Sequence, residues 1–138
     1  MKEETRFVAF NGACFEHKED AEYYEKIVIA KTRKRQCYDI CKEMMYRVHI
    51  SHDRVKRLEE RLTDLNNIIR HPDQFPEDTV IKSRAERFAL RWEIGIERNL
   101  HVTNKKVLHK YQRTFSEISR SLDTLEKQWG EVKAGRNI

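Results

Sequence analysis

Glycine and proline are scarce in this 138-residue chain, at four and two residues. That scarcity excludes collagen-like and linker-type chains, and it disfavours a β-sandwich, which needs many turns. No run of 18 apolar residues occurs, so no membrane span is expected. No basic-then-apolar leader opens the chain, and its three cysteines have no scaffold spacing. Both features lead us to expect a cytoplasmic protein in a reducing compartment. A phosphate-cradling glycine loop and a Gly-x-Ser-x-Gly elbow are missing too. The expectation is a protein that is not an enzyme and carries no cofactor and no metal.

The chain is rich in charge, at 37% of residues, with abundant Glu, Lys, Arg and Leu, the composition of long helices. The charge falls in blocks: net −3 over residues 1–30, +6 over 31–57, −4 over 58–80 and +6 over 81–138. The total of +5 is modest. Local clusters therefore set the field that a partner meets.

The first segment, 1–16, reads as a β-hairpin. Thr5, Phe7, Val8 and Phe10 are β-formers, and Asn11-Gly12 between two apolar runs is the signature of a type I′ turn. A two-stranded hairpin is marginal by itself, so Phe7, Phe10 and Phe15 are expected to lean on the rest of the molecule. Glu16, Glu19 and Asp20 then supply the negative charge favoured in a first helical turn.

A first long helix is expected over 17–71. Its stripe runs Tyr23, Ile27, Ala30, Lys34, Cys37, Cys41, Met44, Val48, Ser51, Val55, Leu58, Leu62, Leu65, Ile69, in steps that alternate four and three. This is a heptad seam. Pro72 and Pro76 force a connecting loop over 72–79, with Asp78 or Thr79 as the N-cap of the next helix. A second long helix over 80–134 carries Ile81, Ala85, Phe88, Trp92, Ile96, Leu100, Thr103, Val107, Tyr111, Phe115, Ile118, Leu122, Leu125, Trp129, Val132. Extra four-residue steps bring its mean near the 3.6 of a straight helix.

Matched helices joined by a short loop pack antiparallel. The fold class is therefore mainly α: a long, coiled-coil-like antiparallel helical hairpin with a short N-terminal β-hairpin, one domain overall. Counting out from the loop sets Leu62 against Phe88, Leu58 against Trp92 and Tyr23 against Trp129. A competing expectation breaks the helices near Ser51 and Asn99 and folds them into a bundle. The large aromatics overfill a two-helix seam, so apolar surface should be left over for a homodimer or another partner.

Cys37 and Cys41 lie four apart on one helix face. They read as small apolar seam residues, with zinc the alternative only if two further ligands approach. His49 and His52 read as solvated surface. The strongest polar signal is basic: Lys31, Arg33, Lys34, Arg35, Lys42 and Arg47 on the first helix, and Lys105, Lys106, Lys110 and Arg113 on the second. Antiparallel pairing would merge them into one belt, able to contact a phosphate backbone or an acidic protein surface. No aromatic platform is interleaved with it in the sequence, and no helix-turn-helix or zinc-finger spacing occurs. Base-specific reading is not expected.

Residues 7–25 run Phe7, Val8, Ala9, Phe10, Asn11, Gly12, then Phe15, Glu19, Ala21, Tyr24 and Glu25. This segment resembles the start of many small phage-encoded proteins of unknown role. In those, a short strand, an Asp-Gly or Asn-Gly turn, a Phe and an acidic helix with Tyr-Glu recur; here Asn11 stands for the commoner Asp. The resemblance implies a phage or prophage protein in the bacterial host cytoplasm that binds and blocks a host protein, defence nucleases and polymerases included.

The function expected is thus a non-enzymatic protein-binding module, of the kind a phage uses to inhibit a host or defence complex. Its partner would be a host or defence protein with an acidic or DNA-binding surface. A sequence-independent nucleic-acid-binding protein and a structural coiled-coil assembly protein are the alternatives.

Overall fold

The structure, a computed structural model, describes residues 6–136. The first five residues of the expected hairpin segment lie outside the described residues. Two short strands, β1 (Phe7–Val8) and β2 (Cys14–Phe15), precede α1 (Lys18–Arg70), a 3-10 turn (Pro72–Gln74) and α2 (Glu77–Gly135). The two long helices pack against each other as an antiparallel hairpin. Neither helix breaks: α1 continues through Ser51, and α2 through Gly95 and the Asn99 to Asn104 stretch. Among the described residues no helix is long and apolar enough to cross a membrane.

The strand pair is antiparallel, with Phe7 opposite Phe15 and Val8 opposite Cys14. The turn is not type I′. That turn needs positive φ at both central residues, but only Gly12 has one, at 89°. Instead the Gly12 N–H donates to the Ala9 carbonyl at 2.9 Å and the Ala9 N–H to the Ala13 carbonyl at 2.8 Å. This is a three-residue loop in which a type I turn is followed by a left-handed glycine. Asn11 thereby keeps negative φ, and its side-chain Oδ1 accepts the Ala13 N–H.

Proline chemistry sets the connection. The Pro72 carbonyl accepts the Phe75 N–H at 3.4 Å and the Pro76 carbonyl accepts the Val80 N–H at 3.2 Å. Pro76 has no N–H to satisfy and its fixed φ suits a helix start. So α2 begins at Glu77, three residues before the expected start, and Asp78 and Thr79 lie inside it.

The chain forms two compact units. Unit 1 is Met1–Cys41 with Lys110–Ile138, and unit 2 is Lys42–His109. In unit 1 the expected stripes are the observed ones. Ile27, Cys37, Cys41 and Leu122 are buried, and Tyr23, Ala30, Tyr111, Phe115, Ile118, Leu125, Trp129 and Val132 are half-buried. The hairpin leans on this unit through buried Ala9 and through Phe15, whose ring lies 5.0 Å from Tyr24 and 6.3 Å from Trp129. Phe10 stays exposed, contrary to expectation. Its backbone N–H instead reaches Glu25 at 3.0 Å, and Asn11 Nδ2 donates to the Tyr24 hydroxyl at 2.7 Å.

Unit 2 corrects the sequence reading. The α1 stripe is as expected, from Met44 through Ser51 to Leu65. On α2, however, the inward residues are Val80, Ser83, Arg87, Leu90, Ile94, Glu97, His101, Asn104 and Leu108. Leu65, Leu90 and Ile94 form the core, with Leu58 and Leu62 packed against it. Leu58 and Leu62 therefore do not meet Trp92 and Phe88, which are 75% and 81% exposed. A shift of two residues along a helix is about 200° of rotation, so the expected face points to solvent.

Two physical features favour the observed rotation. Small residues, Ser51 and Ser83, sit in the seam and permit close helix approach, where indole and phenyl rings would prop it open. The rotation also sets Arg61 against Glu86 at 2.9 Å, Arg98 against Glu59, and Arg54 near Glu97 at 3.9 Å. Each pair is weak, and the three accompany the observed face without accounting for it alone.

Candidate functional site

Three surfaces carry candidate functional side chains. The ten basic residues singled out in the sequence are divided between the units. All are exposed except Lys34, which is half-buried. Unit 1 holds Lys31, Arg33, Lys34, Arg35, Lys110 and Arg113; unit 2 holds Lys42, Arg47, Lys105 and Lys106.

In unit 1, Lys31, Lys34 and Arg35 line one open groove of about 470 Å³ with Tyr38, Phe115, Leu122, Asp123 and Glu126. Lys34 Nζ stands 5.6 Å from the Phe115 ring centre, and the Tyr38 and Phe115 rings are 6.3 Å apart. The groove thus combines cations with aromatic faces. Tyr38 and Phe115 supply the platform that the linear sequence did not show, because a long stretch of chain separates them. Two carboxylates temper the charge, and Lys31 lies 3.9 Å from Glu126. Arg33 lines a separate groove with Lys26, Ile29 and Glu117, so helical geometry parts it from its sequence neighbours. Lys110 and Arg113 lie outside both grooves.

In unit 2, Arg47 is already paired with Glu43 at 2.8 Å. Lys105 lines an open groove of about 330 Å³ with Met45, Val48, His49, His52, His101 and Leu108. His49 pairs with Asp53 at 3.4 Å and the His52 ring lies 5.7 Å from that of His101. Ser51 Oγ is 2.9 Å from His101 Nδ1, but it is buried and donates its proton to the Val48 carbonyl at 3.0 Å. That arrangement ties α1 to α2; it does not present an activated hydroxyl to solvent.

Cys37 and Cys41 are buried in unit 1, and Cys37 Sγ donates to the Tyr111 carbonyl at 3.1 Å. Burial pushes the Cys37 thiol above its ordinary range, and the neighbouring Cys41 adds to the rise. Among the described residues no group of three or more His, Cys, Asp or Glu is placed to hold a metal ion.

The third surface is apolar: the sequence leads us to expect left-over apolar surface, but it sets these residues in the seam and not outside it. Ile81, Phe88, Trp92, Ile96 and Leu100 form an exposed apolar ridge along α2 of unit 2. The signal that reveals it is heptad phase. From Val80 to Val132 the seam steps alternate three and four without a break; keeping the most apolar residues in the stripe required extra fours and drifted off the seam. The large side chains mark the right stretch of helix, but they point the other way.

The chain matches no protein-family model, no curated protein and no solved structure.

Proposed function

We propose that this chain is a non-enzymatic protein-binding module whose contact face is the α2 ridge of unit 2. One observation carries the reading: Phe88 and Trp92, the two largest side chains of that ridge, are 81% and 75% exposed while smaller Leu90 and Ile94 fill the core. Aromatic residues of this kind are the usual anchors of protein interfaces. Contiguous apolar patches of several hundred Å² on a folded chain mark association surfaces. The likeness of residues 7–25 to small phage proteins supports a narrower form, an inhibitor that occupies a host or defence protein.

The test is site-specific photocrosslinking in bacterial cells, with benzoylphenylalanine replacing Phe88 in one variant and Gln128, an exposed residue of unit 1, in another. The Phe88 variant should give a light-dependent adduct with a second polypeptide, and the Gln128 variant none. No adduct from position 88 would refute the reading.

A second reading, sequence-independent nucleic-acid binding, is supported by the unit 1 groove, where Tyr38 and Phe115 lie beside Lys31, Lys34 and Arg35. Bases stack on such rings while cations follow the phosphates. A labelled oligo-dT strand of about 20 nucleotides should then bind at ~50 mM salt and weaken by at least about tenfold at ~200 mM. Lys34→Glu with Arg35→Glu should abolish that binding. Absence of binding at the lower salt retires this reading.

A further inference from the structure

We infer that the ridge of α2 takes an amphipathic helix with an acidic edge, contributed by a different protein. The inference rests on the protein-binding reading above and adds the chemistry of the occupant. The ridge is linear, spanning Ile81 to Leu100 at helical spacing, roughly 29 Å long. A helix of the same length laid along it would match its periodicity turn for turn.

The ridge has unlike edges: exposed Glu86 and Glu93, seven residues apart, lie along one, and arginines along the other. Arg84 and Arg91 are seven residues apart, so they fall on the same side of it, with Arg98 one heptad further on. Arg84 and Arg91 are exposed and have no ion-pair partner among the described residues; Arg98 is engaged with Glu59. Two unpaired guanidinium groups beside an apolar strip are complementary to carboxylates flanking an apolar strip.

The same charges disfavour a second copy of this chain. Residues 80–109 carry seven basic and three acidic side chains. In an antiparallel two-fold pair the arginine edge would meet itself, with Arg91 opposite Arg91 and Arg84 opposite Arg98. Like charges so placed oppose pairing.

The probe is a fluorescein-labelled helical peptide of about 22 residues, long enough to cover the ridge, with a leucine face and glutamates along one edge. It is compared with the same peptide carrying lysines there. Anisotropy titration against the full chain should show saturable binding of the acidic peptide, and binding of the lysine peptide at least about tenfold weaker. Arg84→Glu with Arg91→Glu should invert that order, and Trp92→Ser should abolish both. These residues are exposed, and unchanged far-UV circular dichroism verifies that each variant is folded. Equal affinity for the two peptides, or no binding of either, overturns the inference. So does sedimentation as a dimer that Trp92→Ser dissolves, which assigns the ridge to a second copy. A Phe88 photoadduct with another protein, obtained while the acidic peptide fails to bind, leaves the protein-binding reading standing and removes this one alone.

Discussion

Leu65→Ala should lower the stability of unit 2 by about 3 kcal/mol, whereas Trp92→Ala should change it by less than about 0.5 kcal/mol. The contrast runs against side-chain size. Trp92 is far larger, yet it is 75% exposed, so truncating it removes little area that folding had taken from water. Leu65 is 1% exposed and packs in the cluster with Leu90 and Ile94. Its truncation removes buried methyl groups and leaves a cavity that helices held by Leu58 and Leu62 close only in part. Urea denaturation followed by far-UV circular dichroism reads both values. Equal destabilisation by the two substitutions would mean that Trp92 faces inward and that the ridge does not exist. The experiment thus bears on fold and function together, because the proposed contact face and the core are opposite sides of one helix.

How much of this was legible in the sequence depended on whether apolar content and seam phase agreed. On α1 they agreed, and every stripe residue from Tyr23 to Ile69 is buried or half-buried, including the exceptions Lys34 and Ser51. On α2 from Tyr111 to Val132 they agreed again. Between Val80 and Leu108 they conflicted. The seam there accepts Ser83, Arg87, Glu97, His101 and Asn104, while Ile81, Phe88, Trp92 and Ile96 are turned outward. Burial alone would choose the apolar face. The observed seam instead takes the small Ser51 and Ser83 inward and aligns three cross-helix ion pairs, features that are not visible before the helices are paired. The hairpin turn failed for a similar reason. Asn-Gly specifies a place for a turn, but the Ala9 and Ala13 hydrogen bonds that select its type belong to the flanking backbone. The groove at Tyr38 and Phe115 is a tertiary feature that no linear spacing encodes.

Asp20→Asn should cost unit 1 about 2 kcal/mol at neutral pH, and the cost should fade in acid. Asp20 lies in the first turn of α1, where the helix dipole already favours a negative charge. Its carboxylate accepts the Trp129 indole N–H at 2.8 Å and an Arg136 N–H at 2.6 Å, with its side chain 13% exposed. Burial by itself pushes the Asp20 pKa upward, but the Trp129 and Arg136 hydrogen bonds, then the charges of Arg136 and His17, outweigh it and leave the group below its ordinary value. The sign of the pH effect comes from that direction. A carboxyl with a lower pKa folded than unfolded binds its proton more weakly in the folded state. Its stabilisation is complete above the unfolded value, about 3.9, and is lost as pH falls through the folded one. Asparagine keeps an oxygen for the Trp129 N–H but has no charge for Arg136, so its stability lacks that pH dependence. Urea midpoints for the two proteins should differ most at neutral pH and converge as the pH falls below the ordinary carboxyl value and the folded carboxylate takes up its proton. A gap as wide in acid as at neutral pH would show that shape, not the ionised carboxylate, ties the start of α1 to the end of α2. Asp20→Ala provides the bound on the other side: it strands both the indole N–H and the guanidinium, and its loss at neutral pH should exceed that of the asparagine variant.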